Sequence, residues 1–162
     1  MKTLLLMRHA KSSWKDISLS DHQRPLNKRG QRDAPRMGSF IAQEDLAPDT
    51  ILCSTAKRAR LTAELFLETC SFDGEVVYSD SLYHASPSTY LDVLESLSSE
   101  IESAMIVGHN PEMDYFLDYY CSYNDHMTTA NIAYIQFDID TWSELSQNTE
   151  GKVIRIWRPR EL

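Results

Sequence analysis

The sequence predicts an α/β fold with a mostly parallel central sheet and helices on both of its faces. Short apolar runs rich in β-formers alternate along the 162 residues with segments whose apolar side chains recur at helical spacing. The repeated strand–helix–strand order is typical of parallel sheets, in which each crossover helix packs on a face. No internal repeat, low-complexity tract or Pro/Gly/Ser linker divides the chain. We therefore expect one domain over residues 1–162.

Six segments have the composition of strands. The first of them resembles the start of a signal peptide, but its apolar run stops at Arg8-His9 and no small-residue cleavage site follows. We interpret it as a buried strand. The last two flank an acidic loop, and we expect them to form a hairpin. The six predicted strands are Lys2–Met7, Thr50–Cys53, Glu75–Tyr78, Ser103–Val107, Asn131–Phe137 and Lys152–Trp157.

Four segments are predicted to be helices. In two of them a capping residue stands directly before a proline, at Ser86-Pro87 and at Asn110-Pro111, which is typical of a helix start. Ser54 or Thr55 is the expected cap of another, and Pro35 predicts a kink or a fresh start inside the first helix. The predicted helices are Asn27–Gln43, Ala56–Thr69, Pro87–Leu97 and Pro111–Tyr120.

The charges are distributed very unevenly. The net charge is −8, yet residues 1–60 hold 12 of the 16 Lys and Arg residues. Residues 61–151 hold no Lys or Arg against 17 acidic residues, which we interpret as a solvated surface. Because no long basic stripe is present, nucleic acid is not an expected partner. Any anion site must draw its positive charge mainly from the first sixty residues.

Several other classes of protein are disfavoured. The three cysteines are widely spaced and form no CxxC pair, so we expect buried free thiols in a reducing, cytoplasmic setting rather than disulfides or a zinc site. No segment is long and apolar enough for a membrane span, so no membrane partner is expected. Three histidines have no metal-ligand spacing, and neither a metal nor another cofactor is predicted. These residues are Cys53, Cys70 and Cys121, and His22, His84 and His126.

Polar groups follow three of the predicted strands at their carboxyl ends. Arg8 and His9 follow the first strand, Arg58 opens the helix after the second, and His109 follows Val-Gly at the end of the fourth. The carboxyl ends of parallel strands meet at one edge of a sheet, which is where sites form in such folds. We expect these side chains to converge there.

The chemistry follows from the groups themselves. A neutral imidazole is a good nucleophile near pH 7, and it forms a phosphoramidate that water can cleave. A phosphoryl group in transfer needs fixed cationic donors, and the planar fork of arginine binds two of its oxygens. Helix N-termini after Ser54 and Asn110 are expected to add backbone N–H groups.

These motifs resemble the histidine phosphatase superfamily, also called phosphoglycerate-mutase-like. The resemblance rests on Arg8-His9, on Ser54-x-x-x-Arg58-Ala59-x-x-Thr62-Ala63 and on Val107-Gly108-His109-Asn110. Longer stretches are similar to the short SixA-type phosphohistidine phosphatases, and the resemblance runs from Lys2 to Phe137. These stretches are Arg8–Trp14, Asp21-x-x-Arg24-Pro25-Leu26-x-x-Arg29-Gly30 and Leu82-Tyr83-x-Ala85-Ser86-Pro87.

The resemblance implies a fold and a set of roles. It implies a three-layer α/β/α sandwich without a metal, His9 as phospho-acceptor, Arg8 and Arg58 as phosphate clamps and His109 as the second pocket histidine. Two residues beside the nucleophile are expected to line the pocket and bind substrate. The two lining residues are Lys11 and Ser12. Arg24 and Arg29, further along the chain, either reach the substrate or form structural ion pairs, and ion pairs are the favoured interpretation.

The sequence departs from the family pattern in two places. Many members carry a carboxylate proton donor after the third strand, but Leu82–Ser86 offers none, and Asp80 lies upstream. Thr128–Asn131 stands where the branch usually reads Pro-Thr-Gly, so the backbone donors of that segment are in question.

Three functions remain open from the sequence. The leading hypothesis is a phosphatase of protein phosphohistidine, because no long insertion is available to build a lid over the pocket and an imidazole leaving group needs no placed acid. The others are a small-molecule phosphomonoesterase and a non-catalytic phosphate or phosphopeptide binder. The sequence leaves the oligomeric state open.

Overall fold

The fold is built on one six-stranded mixed sheet. A computed structural model describes residues 1–162. In chain order the strands are β1 (Lys2–Arg8), β2 (Thr50–Ser54), β3 (Glu75–Ser79), β4 (Ser103–Gly108), β5 (Ile132–Phe137) and β6 (Gly151–Trp157). They lie in the order β3-β2-β4-β1-β5-β6. The first four pair in parallel, whereas β5 runs antiparallel to both β1 and β6. The predicted mostly parallel sheet and terminal hairpin are confirmed.

Helices cover both faces of this sheet and make three layers. The helices are α1 (Lys28–Gln43), α2 (Lys57–Leu67), α3 (Pro87–Glu95) and α4 (Glu112–Cys121). α1 packs against α2, and α3 packs against α4. Four short 3-10 helices connect these elements, at Asp21–Gln23, Asp80–Leu82, Trp142–Glu144 and Pro159–Glu161.

Strand β1 shows why the sequence produces this arrangement. Leu4 and Leu6 belong to the core cluster formed with α3 and α4, whereas Leu5 and Met7 belong to the cluster formed with α1 and α2. Successive strand side chains point to opposite faces, so a central strand covered on both sides must be apolar at every position. The continuous run after Lys2 is therefore the signature of a strand in the middle of the sheet, as expected.

The predicted helix starts are partly correct. Ser86 caps α3 in a capping box with Thr89, as its sequence signal indicates. The N-cap of α2 is Ala56 rather than Ser54 or Thr55, and the Ser54 hydroxyl instead contacts the Ala56 N–H and the His109 ring. The α4 helix begins at Glu112 after Pro111, so Asn110 is not its N-cap.

The first helix also differs from the prediction. Pro35 lies inside α1, which continues unbroken to Gln43, so the predicted fresh start is wrong. Losing one hydrogen bond to the carbonyl of Gln31 does not end a helix whose buried face packs on α2. The Asn110 amide oxygen still accepts a hydrogen bond from the Asp114 N–H at 3.1 Å, although Pro111 holds the cap position.

The sheet order places the three polar segments side by side. Strands β2, β4 and β1 are neighbours, and all three run in parallel. Their carboxyl ends therefore present the segments after Ser54, Gly108 and Arg8 at one edge, as predicted. Gly30 lets α1 approach the loop after β1 closely, since a Cβ there would lie 2.3 Å from the Lys11 carbonyl oxygen.

Candidate active site

The carboxyl edge of the sheet holds a polar cavity of about 330 Å³. The segments that follow β1, β2, β3 and β4 all contribute side chains to it. Every site residue predicted from the sequence lines this cavity: Arg8, His9, Lys11, Ser12, Arg58 and His109. The structure thus brings the whole predicted set into one place.

His9 is buried with one ring nitrogen left free. Its Nδ1 lies 2.7 Å from the Ala10 carbonyl oxygen. A carbonyl oxygen only accepts, so Nδ1 carries the proton and Nε2 keeps its lone pair. The backbone is fixed by the His9 N–H donating to Gly108 O at 2.9 Å and the Ala10 N–H donating to Thr62 Oγ1 at 2.9 Å. A free Nε2 on a fixed loop is the geometry of a nucleophile.

Burial also keeps His9 neutral. Desolvation, with Arg58 and Arg8 adding, lowers the pKa of His9 to about 3. The imidazole is consequently unprotonated, and so nucleophilic, throughout the physiological range.

His109 faces His9, with ring centroids 5.1 Å apart. Its Nε2 lies 2.8 Å from Ser54 Oγ, and that oxygen accepts the Ala56 N–H at 3.2 Å. When the Ser54 hydroxyl donates to Nε2, the ring proton of His109 lies on Nδ1. This Nδ1 is buried without a protein partner. Desolvation, followed by repulsion from His9 and Arg58, lowers the pKa of His109 to about 2. His109 is therefore a neutral donor.

Arg8 and Arg58 are each held on one side of the guanidinium. Arg8 Nη1 donates to the Met127 carbonyl at 2.8 Å, and Arg58 donates to Asp21 O at 2.8 Å and to Asp21 Oδ2 at 3.0 Å. The Nε atoms of both arginines are buried and have no hydrogen-bond partner. Both guanidinium groups also line the cavity, so an anion bound there gains charge-assisted hydrogen bonds from the nitrogens that make no protein contact.

Asp21 organises the cationic side of the cavity, a role that the sequence did not reveal. Its Oδ2 accepts the Tyr83 hydroxyl at 2.6 Å, and Arg24 Nε lies 3.3 Å from its Oδ1. The Tyr83 hydrogen bond, with Arg58 adding, lowers the pKa of Asp21 to about 2, so this carboxylate stays ionised. The ion pair expected of Arg24 is present, and Arg24 also lines the cavity while donating to Ser12 Oγ at 3.0 Å.

Glu112 is a carboxylic acid that the sequence argument missed. It lines the cavity from the first turn of α4, is 8% exposed, and its Oε2 is buried without a partner. Desolvation raises the pKa of Glu112. A carboxyl group therefore lines the cavity from the fourth strand end, whereas Leu82–Ser86 after the third strand offers none, as the sequence indicates. The position of Glu112 three residues after His109, on an opening helix turn, is the signal that was available.

The segment after β3 contributes aromatic side chains to the cavity and not the carboxylate that many superfamily members carry there. Asp80 accepts the Thr55 hydroxyl at 2.6 Å and does not line the cavity. His84 does line it, in the left-handed region with φ 56°. Tyr83, between them in space and sequence, packs on His84 with ring centroids 4.0 Å apart.

The segment around Ala130 supports the nucleophile loop from the opposite side. The Ala130 N–H donates to Arg8 O at 3.1 Å and to His9 O at 3.2 Å, so this backbone donor holds the loop instead of pointing at a substrate. The Met127 carbonyl also accepts the Asn110 amide at 2.8 Å, which ties the first and fourth strand ends together.

The remaining expectations concern metals, thiols and membranes. No group of three or more His, Cys, Asp or Glu side chains is placed to hold a metal ion. All three cysteines are buried free thiols, as expected, and burial raises the pKa of Cys121 to about 12. None of the helices has the length and apolar character needed to cross a bilayer. Arg29 lies outside the catalytic cavity, 3.9 Å from Asp33.

Comparison with known proteins agrees with this geometry. The family model for the histidine phosphatase superfamily (branch 1) matches residues 4–84, a span that includes His9 and Arg58. The chain belongs to this superfamily. An uncharacterized chloroplastic protein of Arabidopsis thaliana is 30% identical over 88% of this chain and 70% of its own length.

Other proteins are similar to this chain in sequence or in structure. An uncharacterized Mycobacterium tuberculosis protein is 38% identical over 65% of this chain, and the match spans 63% of that protein's length, which is less than two thirds. A structure from Agrobacterium tumefaciens assigned to the SixA phosphohistidine phosphatases superposes with a TM-score of 0.84, at 27% identity and 98% coverage of each chain. The α/β fold is that of the phosphoglycerate-mutase-like proteins, as the sequence resemblance implied.

Proposed function

We propose that this protein is a metal-independent phosphohydrolase that removes phosphoryl groups from protein phosphohistidine through a phospho-His9 intermediate. The observation that carries the proposal is a neutral His9 with a free Nε2, in a cavity that Arg8, Arg58 and His109 also line. A nucleophile surrounded by buried donors fits a phosphoryl group, whose equatorial oxygens carry the charge.

The proposed reaction has two steps. In the first, His9 Nε2 bonds to phosphorus as the P–N bond to the substrate imidazole breaks, and the departing nitrogen takes up a proton. In the second, water bonds to phosphorus as the bond to His9 breaks, which releases inorganic phosphate and restores the neutral ring. Arg8, Arg58 and His109 hold the equatorial oxygens in both steps.

Two features support a protein side chain as the substrate. The cavity is polar and open to the surface, so a protruding phosphohistidine has access. The Agrobacterium tumefaciens SixA structure shares both the fold and 27% of the residues. A phosphohistidine substrate also leaves as an imidazole, which is readily protonated from solvent.

Glu112 favours a second candidate, a small-molecule phosphomonoesterase. An alkoxide leaving group needs a proton donor, and a placed acid typically contributes about 10²–10⁴-fold. The raised pKa of Glu112 keeps more of this carboxyl protonated near neutral pH. The same residue is dispensable if the leaving group is an imidazole or an activated phenol.

One substrate panel separates these functions. We expect a phosphohistidine peptide and para-nitrophenyl phosphate to be hydrolysed far faster than phosphoserine peptide or a sugar phosphate, and Glu112→Gln to change the two fast rates less than about threefold. Comparable kcat/KM values for phosphoserine and phosphohistidine, with a loss of at least about tenfold for phosphoserine alone in Glu112→Gln, would instead establish the phosphomonoesterase. Binding without turnover on every substrate would indicate the non-catalytic binder.

A further inference from the structure

A second, strongly basic cavity of about 340 Å³ adjoins the catalytic one. None of its nine lining residues is hydrophobic. Three of its arginines lie on one side of α1 at spacings of three and four residues, and the fourth comes from the C-terminal 3-10 helix. We call these four residues the arginine groove: Arg29, Arg32, Arg36 and Arg160.

The positive charge of the arginine groove is only partly neutralised by its neighbours. Asp33 is the one acidic residue among the lining residues, and two arginines share it. Its Oδ1 lies 3.3 Å from Arg32 Nε and its Oδ2 lies 3.9 Å from Arg29 Nε. Arg36 donates to an oxygen of Leu162, whose terminal carboxylate offsets one of the four positive charges. The chain as a whole carries −8, so this face has the opposite sign to the molecule.

The arginine groove is continuous with the active site. Thr129 lines both cavities, and its hydroxyl accepts a hydrogen bond from Arg29 Nη2 at 3.0 Å. The next residue, Ala130, holds the carbonyl oxygens of Arg8 and His9. Residues that neighbour a phosphorylated side chain seated at His9 therefore come to lie over this basic surface.

The exposure of these arginines indicates which kind of anion they suit. The side chains of Arg29 and Arg32 are 54% and 67% exposed, unlike the buried donors around His9. Exposed, adjustable guanidinium forks match carboxylates on a mobile protein surface, whereas a tight site for a small phosphate requires fixed and desolvated donors.

We propose that the arginine groove is a docking site for acidic side chains that flank the phosphohistidine of the substrate protein. This inference rests on the proposed function and adds to it the charge of the partner surface. It assigns recognition to a face that takes no part in phosphoryl transfer, so substrate choice and chemistry depend on different arginines.

The test compares two synthetic phosphohistidine peptides that differ only in their flanks, one with Asp and Glu and the other with Ser and Gly. We expect the full-length enzyme to prefer the acidic peptide in kcat/KM and to lose this preference in high salt. The double variant Arg32→Glu/Arg36→Glu should lower kcat/KM for the acidic peptide by about five- to thirtyfold at low salt, while kcat for para-nitrophenyl phosphate stays unchanged.

A matched control removes the effect of net charge. Lys152→Glu/Arg155→Glu makes the same change in charge at exposed positions of β6, outside both cavities. It should retain the preference for the acidic peptide. Equal hydrolysis of both peptides by the wild-type protein, or an equal loss in the control variant, overturns the proposal.

A binding measurement keeps this test separate from the proposed function. If para-nitrophenyl phosphate is hydrolysed but neither phosphohistidine peptide is, the proposed substrate is wrong. Fluorescence anisotropy with the unphosphorylated acidic peptide then decides about the groove. Binding that is lost in Arg32→Glu/Arg36→Glu and kept in the control supports the docking site, and no binding to the wild-type protein overturns it.

Discussion

Arg8 and Arg58 each use some guanidinium N–H donors for protein contacts, and the other donors are free to bind an anion. Arg58 holds both the carbonyl and the carboxylate of Asp21, and Arg8 holds the Met127 carbonyl. A lysine at either position keeps the charge but has no planar fork with which to make both kinds of contact. The arrangement therefore depends on the shape of the guanidinium as well as on its charge.

The shape of the guanidinium group predicts the effect of replacing either arginine by lysine. Arg8→Lys and Arg58→Lys should each cost about 2–4 kcal/mol of transition-state stabilisation, which corresponds to a loss of about 30- to 1000-fold in kcat/KM. Steady-state kinetics on para-nitrophenyl phosphate measures this loss, with Arg155→Lys on the exposed side of β6 as the control. Near-normal kcat/KM in both variants would show that charge alone is sufficient.

The residues that perform the proposed chemistry could be predicted from the sequence, but the residues that position them could not. His9, Arg8, Arg58 and His109 were predictable because each follows a recognisable strand end. Ser54 looked like a helix cap, yet its hydroxyl sets the orientation of the His109 ring. The contacts of the Met127 carbonyl could not be predicted from the pattern of side chains, because any residue can supply a backbone oxygen.

At the scale of single elements, the start of β1 is secured by a buried cation. Lys2 is 1% exposed, and its ammonium donates to Ser99 O at 2.8 Å, to Ile101 O at 2.9 Å and to Glu102 Oε1 at 3.0 Å. All three donors of the ammonium group are thus satisfied. The strand that carries His9 is tied through Lys2 to the segment that leads into β4.

Replacing this lysine should weaken the fold without changing the chemistry. Lys2→Met keeps the apolar stem but removes all three hydrogen bonds of the ammonium group, so we expect the free energy of unfolding to fall by about 1–3 kcal/mol. Urea denaturation measures the change, and Lys152→Met at an exposed position of β6 is the matched control. A loss of the same size in the control, or none at Lys2, would contradict the role given to these hydrogen bonds.

The same strand shows how far element boundaries follow from sequence. Its apolar run predicted a central strand correctly, because two-sided burial leaves a continuous pattern. The starts of α2 and α4 were misplaced because a residue that can cap a helix can also use its side chain for a tertiary contact, and the sequence does not distinguish the two. Ser54 and Asn110 both use their side chains for tertiary contacts at the site, and the helices begin after them.

Across the whole molecule, the two buried histidines couple the active site to stability. Burial lowers the pKa of His9 to about 3 and that of His109 to about 2, whereas an unfolded histidine titrates near 6.5. Between these values the unfolded chain binds more protons than the folded one. Stability is therefore fully present above about pH 6.5 and declines as the pH falls below it. Glu112 acts in the opposite sense, because its raised pKa favours proton uptake by the folded state.

This linkage predicts an acid-sensitive fold. Each histidine should contribute a loss of up to about 2 kcal/mol in the free energy of unfolding between pH 7 and pH 5. His109→Gln removes one of the two groups, so its stability should depend less steeply on pH. Denaturant titrations at several pH values across this range test the prediction, and an unchanged slope in His109→Gln would refute the linkage.

The most direct test of the account is to trap the proposed covalent intermediate. Brief incubation with a ³²P-labelled phosphohistidine peptide, followed by an alkaline quench, should leave a label that is stable in alkali and labile in acid, as expected of a phosphoramidate. Mass spectrometry under non-acidic conditions should locate the label on His9, and His9→Ala should carry no label and show no turnover. A label on another residue, or full activity in His9→Ala, would contradict the central claim that His9 is the phosphoryl acceptor.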